Sequence, residues 1–144
     1  MIDLQRFIDG QEGIYETALA ELKTGSKRSH WIWFIFPQVA GLGFSTMAAR
    51  YAINSKEEAK AYLAHPILGA RLRVCANALL AVRDKTALQI MGHPDDLKLK
   101  SSMTLFAAVA ELGSPFQAML DRYYSGEVDP RTTEFLSRDG VSNP

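Results

Sequence analysis

From Leu4 to Leu22, apolar side chains fall at Leu4, Phe7, Ile8, Ile14, Tyr15, Ala18, Leu19 and Leu22. This is the 3.6-residue stripe of an amphipathic helix. Asp3 is placed to cap its start and Gly25 to close it in a left-handed conformation. Gly10 and Gly13 weaken the middle, each by about 1 kcal/mol against Ala, and allow a break there. Further stripes follow. Ser55 and Glu58 have capping-box spacing ahead of Ala59, Tyr62 and Leu63. His65-Pro66 restarts the chain for a helix that turns Leu68, Leu72, Cys75, Ala76 and Leu79 inward. A short helix from Asp84 to Met91 stops at Gly92. A longer one from Asp95 to Leu112 carries Leu99, Met103, Phe106 and Ala110 on its buried side. Ser114 and Gln117 form a second capping box before Phe116, Met119, Leu120 and Tyr123, and Asp129-Pro130 starts a last helix.

Residues 26–38, SKRSHWIWFIFPQ, break this regularity. Six large apolar residues in a row leave no polar face, so a buried short helix and a buried strand both fit the pattern. The helix is preferred because no convincing partner strand exists elsewhere, and a lone strand leaves its backbone unsatisfied. Pro37 ends the segment and Gly41-Leu42-Gly43 turns the chain. On a helix Trp31 and Trp33 lie about 200° apart, which places one in the core and the other at a pocket or an interface. The pattern as a whole predicts an all-α, compact single-domain bundle of about seven helices, several of them short. It covers residues 1–137 and leaves 138–144 as a frayed tail.

Composition narrows the function classes. Of 144 residues, 47% are apolar and 22% charged, which is globular rather than disordered. Sixteen basic residues balance sixteen acidic ones, so no global field draws the chain to nucleic acid or an anionic membrane. The single cysteine, Cys75, precludes an intrachain disulfide and points to a reducing, cytoplasmic setting. No export signal or membrane span is legible. HExxH, CxxC, P-loop and GxGxxG patterns are missing, and His30, His65 and His93 are too scattered for a metal site, so no cofactor or metal is expected.

Three stretches hold polar groups that packing alone does not ask for. In the first, His30 and Gln38 flank Trp33 in the aromatic run. The second is His65-Pro-Ile-Leu-Gly-Ala-Arg71, where Arg71 lies about 60° from Leu68, at the edge of the buried stripe, and needs an acceptor. Gly69 nearby signals the close approach of a ligand or another helix. In the third, Lys98, Lys100, Ser101 and Ser102 sit together on one helix, with Ser102 on its inward side and Asp95 or Asp96 as the nearby carboxylate. Hydroxyls at such positions make either helix–helix hydrogen bonds or a polar pocket.

The segments SHWIWFIFPQ, GLG.S at 41–45, YLAHPILGARL and KLKSSMTLF together resemble a bacterial family of small proteins of unknown function, sometimes labelled calpastatin-like. The resemblance spans nearly the whole chain and implies an all-α compact domain with no established activity. Protease inhibitors of the calpastatin kind are disordered and repetitive, and this chain is neither. Its polar-aromatic segment followed by a Lys/Ser-Met helix also resembles bacterial N-glycosidases acting on ADP-ribose-linked compounds. The further acidic and tryptophan motifs of those enzymes have no place here.

Two functions follow. In one, His30, Trp33, Gln38, His65, Arg71, Lys98, Lys100, Ser101 and Ser102 line a pocket for a small anionic ligand, nucleotide- or ADP-ribose-like, with aromatics stacking on its ring. In the other, the protein is structural or homo-oligomeric and the same polar cluster is a buried network. Neither involves nucleic acid or a membrane.

Overall fold

The computed structural model describes residues 2–141, with side chains to residue 138. Among the described residues every regular element is helical, and there are ten: α1 (Gln5–Gln11), α2 (Tyr15–Thr24), α3 (Ile32–Ile35), α4 (Thr46–Arg50), α5 (Lys56–Ala64), α6 (Leu68–Leu80), α7 (Ala87–Met91), α8 (Asp95–Val109), α9 (Pro115–Tyr124) and α10 (Pro130–Val141). No helix among them is long and apolar enough to cross a membrane.

The excess over the expected seven has local causes. The first stripe is two helices, α1 and α2, because Gly13 adopts a left-handed φ of 71° in the turn between them. Gly10 stays helical. It admits Tyr51 and Phe34, whose atoms lie 3.0 and 3.1 Å from where a Cβ would stand. Gly25 closes α2 at φ 73°, as its position predicts. The short α4 carries no apolar stripe to announce it; Ser45 caps it by accepting from the Ala48 backbone N–H at 3.0 Å. The last helix continues through Val141, past residue 138 where fraying was expected, and residues 142–144 lie outside the described residues.

The aromatic run makes a single helical turn, α3, with Trp31, Ile32, Phe34, Ile35 and Phe36 buried. Beyond Pro37 the backbone finds one isolated parallel bridge, Val39 to Ile53, in which Ile53 N–H donates to Gln38 O at 2.8 Å and Ala40 N–H to Ile53 O at 2.9 Å. That bridge satisfies the exit from the run without a sheet.

Helix α8 is the central element, packed against α9, α5, α7, α10 and α3, while α6 joins α2, α5 and α9. A file of rings passes through the core: Phe7 meets Tyr62 edge-on at 5.0 Å, Tyr62 meets Phe106 at 5.4 Å, and Phe106 meets Phe116 at 5.9 Å. The inward positions read from α6 and α8 are buried as expected: Leu68, Leu72, Cys75, Ala76 and Leu79, then Leu99, Met103 and Phe106. Ser55 and Ser114 cap α5 and α9 by accepting from Glu58 and Gln117 N–H. The acidic or amide partner of each box turns elsewhere, Glu58 to Asn54 N–H and Arg6, Gln117 to Asp121. The reciprocal box is found at Thr86 and Gln89.

Candidate functional site

The polar start of the aromatic run is organised by a residue that the sequence pattern does not mark. Glu21, on α2, receives the Arg28 and Ser29 backbone N–H groups at 2.8 and 3.0 Å, the Ser29 hydroxyl at 2.6 Å and the Trp31 indole N–H at 2.9 Å. Burial pushes its pKa up, but these hydrogen bonds outweigh that and hold it at about 2. Trp31 is therefore a fully buried structural residue, with the Lys27 ammonium 4.8 Å from its ring. Trp33, on the opposite side of α3, is only partly buried and faces open space. The two indoles occupy different environments, as the helical spacing requires.

Around Trp33 lie three adjoining cavities that share walls. One, of about 280 Å³, is lined by Trp33, Gln38, Tyr51, Asn54 and the 39–43 loop. A second, of about 380 Å³, lies between the 42–45 loop, Gln38, the start of α8 and the start of α10, with Lys98, Lys100, Ser101, Asp129 and Arg131 in its lining. A third, of about 290 Å³, holds Lys27, His30, Trp33, His93, Asp95 and Lys98. Gln38 separates the first two, Trp33 the first and third, and Lys98 the second and third. Of the expected site residues, the first cavity thus holds Trp33 and Gln38, the second Gln38, Lys98, Lys100 and Ser101, and the third His30, Trp33 and Lys98. This set of adjoining cavities is called the cleft.

The charges in this cleft differ from branch to branch. Asp95 is held by Lys27 at 2.8 Å and by Lys98 at 3.7 Å, and Asp96 meets His93 at 3.1 Å, so the two carboxylates expected to act near Lys98 are already engaged. The Lys98 ammonium also lies 5.5 Å from the Trp33 ring. Lys100 reaches Glu127 at 3.6 Å, a pair whose acid is largely exposed. Arg131 is exposed and has neither an ion pair nor a hydrogen bond among the described residues.

Three expected site residues lie elsewhere. Arg71 does not reach the cleft. Its acceptor is the Gln11 side-chain oxygen at 3.1 Å, and its guanidinium covers the Tyr15 ring at 4.6 Å. Gln11 in turn donates to Phe34 O at 2.8 Å and to the Tyr62 hydroxyl at 3.2 Å, so Arg71 completes a network that ties α6 to α1, α3 and α5. An amide satisfies this cation as a carboxylate would, and an amide acceptor is not recognisable from spacing. His65 caps α6: its Nδ1 accepts from Ile67 and Leu68 N–H at 3.1 and 3.2 Å. Ser102 is fully buried, and its hydroxyl has no hydrogen-bond partner among the described residues. Gly69 marks the approach of a helix, since a Cβ there would stand 2.0 Å from Leu63 O at the end of α5. Cys75 is inert packing, its thiol pushed by burial up to about 12 despite the lowering effect of Arg71.

Two cleft residues, Asp129 and Arg131, carried no signal beyond that of a helix start. Asp129 Oδ2 accepts from the Ser101 hydroxyl at 3.0 Å, from Thr132 N–H at 3.2 Å and from the Thr132 hydroxyl. Its own N–H donates to the Thr104 hydroxyl at 2.9 Å. Ser101 and Thr104 of α8 thus hydrogen-bond across to the residue that starts α10 and, in doing so, fix a carboxylate at the cleft wall. Phe44, 99% exposed, and Leu97, 52% exposed, belong to the lining of the same cavity.

Among known proteins, the family described as protein of unknown function (DUF1810) matches residues 1–136. The crystal structure of the conserved hypothetical protein Rv1873 from Mycobacterium tuberculosis is similar at a TM-score of 0.92 and 48% identity, over 94% of this chain and 97% of that one. No curated protein matches the sequence.

Proposed function

The chain belongs to this DUF1810 family of unknown function, and from that premise we propose that it binds a small anionic ligand bearing an aromatic ring, of the nucleotide or ADP-ribose kind. The ligand lies in the cleft around Trp33, Gln38 and Lys98. One observation carries the reading: Lys98, Lys100 and Arg131 line a single cavity in which Asp129 is the one acidic side chain. Lys98 and Lys100 share their charge with Asp95 and Glu127 at 3.7 and 3.6 Å, both outside this lining, whereas Arg131 has no ion pair among the described residues. Basic groups therefore predominate on the walls of a concave place, where anions gain more than on an open surface. The adjoining cavity is close to neutral and offers an indole, a phenol ring and the amides of Gln38 and Asn54. That lining suits a flat polar ring. The ligand set is therefore His30, Trp33, Gln38, Lys98, Lys100 and Ser101, extended by Asp129 and Arg131. Arg71, His65 and Ser102 serve the fold.

The test is a thermal-shift titration with ADP-ribose and AMP, followed by calorimetry. A ligand at 100 times its dissociation constant stabilises the folded state by about 2.7 kcal/mol. Lys98→Ala and Arg131→Ala should shrink the shift, by about half for a tenfold loss of affinity, while leaving the melting temperature without ligand unchanged. Wild-type protein that shows no shift with either compound at millimolar concentration would refute the reading.

A further inference from the structure

Asp129 presents an unusual contrast between its two oxygens. Oδ2 is held by three donors, and Oδ1 has no partner among the described residues. The carboxylate lines the same cavity as three cations, yet no ion pair within 4.0 Å joins it to any of them. Left to itself, a carboxylate beside Arg131 and Lys100 weakens an anion site by like charge. The Oδ2 contacts already cap α10 and join it to α8, and Oδ1 is left open to accept from a ligand, a gain that would offset this repulsion. A ligand hydroxyl supplies it, because a hydrogen bond to a fixed carboxylate is stronger than a neutral one.

We infer that Asp129 Oδ1 is the acceptor for a sugar hydroxyl of the bound ligand, so that the cleft selects phosphorylated sugars over bare anions. The inference rests on the anionic-ligand reading above and narrows it to a ligand class: a ribose phosphate or a nucleotide, with the phosphate against Lys98, Lys100 and Arg131 and the sugar against Asp129. Ser101 and Thr132 are positioning residues that hold the carboxylate in one rotamer, and Thr104 anchors its backbone. Discrimination arises because the carboxylate repels an anion without a donor and rewards one with a donor.

The two halves of that statement give opposite signs in one variant. The probes are ribose 5-phosphate, which carries hydroxyls, and sulfate, an anion with no proton to donate. For Asp129→Asn, ribose 5-phosphate should bind about tenfold more weakly, the scale of a hydrogen bond to a charged group. Sulfate should bind about twofold more tightly as the like charge is removed. Asparagine still caps α10, so the fold is expected to persist, and Asp129→Ser provides a second capping variant without the carboxylate. Equal changes for both probes in both variants would overturn the role of Asp129 while leaving the anion site standing. Failure of the wild type to bind either probe would instead remove the anion site, and this inference with it.

Discussion

Glu21 and Asp129 are both carboxylates gripped by a serine hydroxyl and by backbone N–H groups, yet they end in different situations. At Glu21 the donors reach both oxygens: Arg28 N–H, Ser29 N–H and the Trp31 indole on Oε1, the Ser29 hydroxyl on Oε2. All of them come from one stretch of chain that wraps the carboxylate on its way into the aromatic run. At Asp129 the donors converge on a single oxygen, and the rest of the group faces a basic cavity. A saturated acceptor closes structure, whereas a half-saturated acceptor that is held still remains open to a ligand. The same distinction separates Arg71, satisfied by Gln11 and Tyr15, from Arg131, which is satisfied by nothing among the described residues.

The comparison breaks first at Glu21. Glu21→Ala strands the indole N–H of a fully buried tryptophan and releases the segment around it. A loss of about 3 kcal/mol is expected, the scale of a buried donor left unpaired by removal of a charged acceptor. Urea unfolding should show it as a lower midpoint with an unchanged slope. A loss within the scatter of surface substitutions would make the cluster incidental.

Acid probes the same group without a mutation. The Glu21 pKa falls from 4.5 to about 2 on folding, because its hydrogen bonds outweigh the opposing effect of burial. A depressed carboxylate stabilises the fold above its unfolded pKa, and this contribution is lost as the pH falls through the folded one. Stability should therefore drop between about pH 4.5 and pH 2. Glu21→Gln should lower stability at neutral pH and flatten that part of the profile. An identical profile in the variant would assign the acid sensitivity to other carboxylates.

The two arginines sharpen the contrast at smaller cost. Arg71→Ala leaves Gln11 Oε1 short of a donor and uncovers Tyr15, so about 2 kcal/mol of stability should go, with ligand affinity unchanged. Arg131→Ala should do the reverse: stability within about 0.5 kcal/mol of wild type and affinity for ribose 5-phosphate down by about tenfold. If both variants lose stability alike, the cleft is one more structural network.

What could be read in the sequence follows from these same differences. Stripes at 3.6 spacing identified α2, α5, α6, α8 and α9, because packing against a core leaves a periodic trace. α4 left none, since it buries no complete side chain of its own. Among site residues, Trp33, Gln38, Lys98 and Lys100 stood out because they interrupt or adjoin apolar runs; Trp33 and Gln38 line one cavity, and Gln38, Lys98 and Lys100 line the next. Arg71 stood out for the same reason and belongs to the core network, since an edge-of-stripe cation looks alike whether an amide or a ligand completes it. Asp129 and Arg131 escaped notice because an acid before a proline reads as a helix start. It is a helix start here, and its position at the cleft depends on how α10 docks on α8, a tertiary fact with no local signature.

The smallest expected effect concerns Phe44. This ring is 99% exposed, so the folded state buries none of it and Phe44→Ala should leave stability unchanged. It stands in the loop whose Gly41 adopts φ 92° and whose Gly43 would bring a Cβ within 2.8 Å of the Ala48 methyl, so both glycines are fixed by the turn rather than by chance. Such a turn holds Phe44, fully exposed, at the edge of the basic cavity whose lining also includes Leu97. If the ring folds over the ligand, part of the burial missing from the free protein is recovered on binding, at roughly 25 cal/mol per Å² covered. Phe44→Ala should then weaken AMP by about threefold, corresponding to coverage of only part of the ring, and leave sulfate unaffected, because sulfate offers no surface to cover. Equal weakening of both would mean that the loop acts through the shape of the cavity, and an unchanged AMP affinity would place the lip outside the binding path.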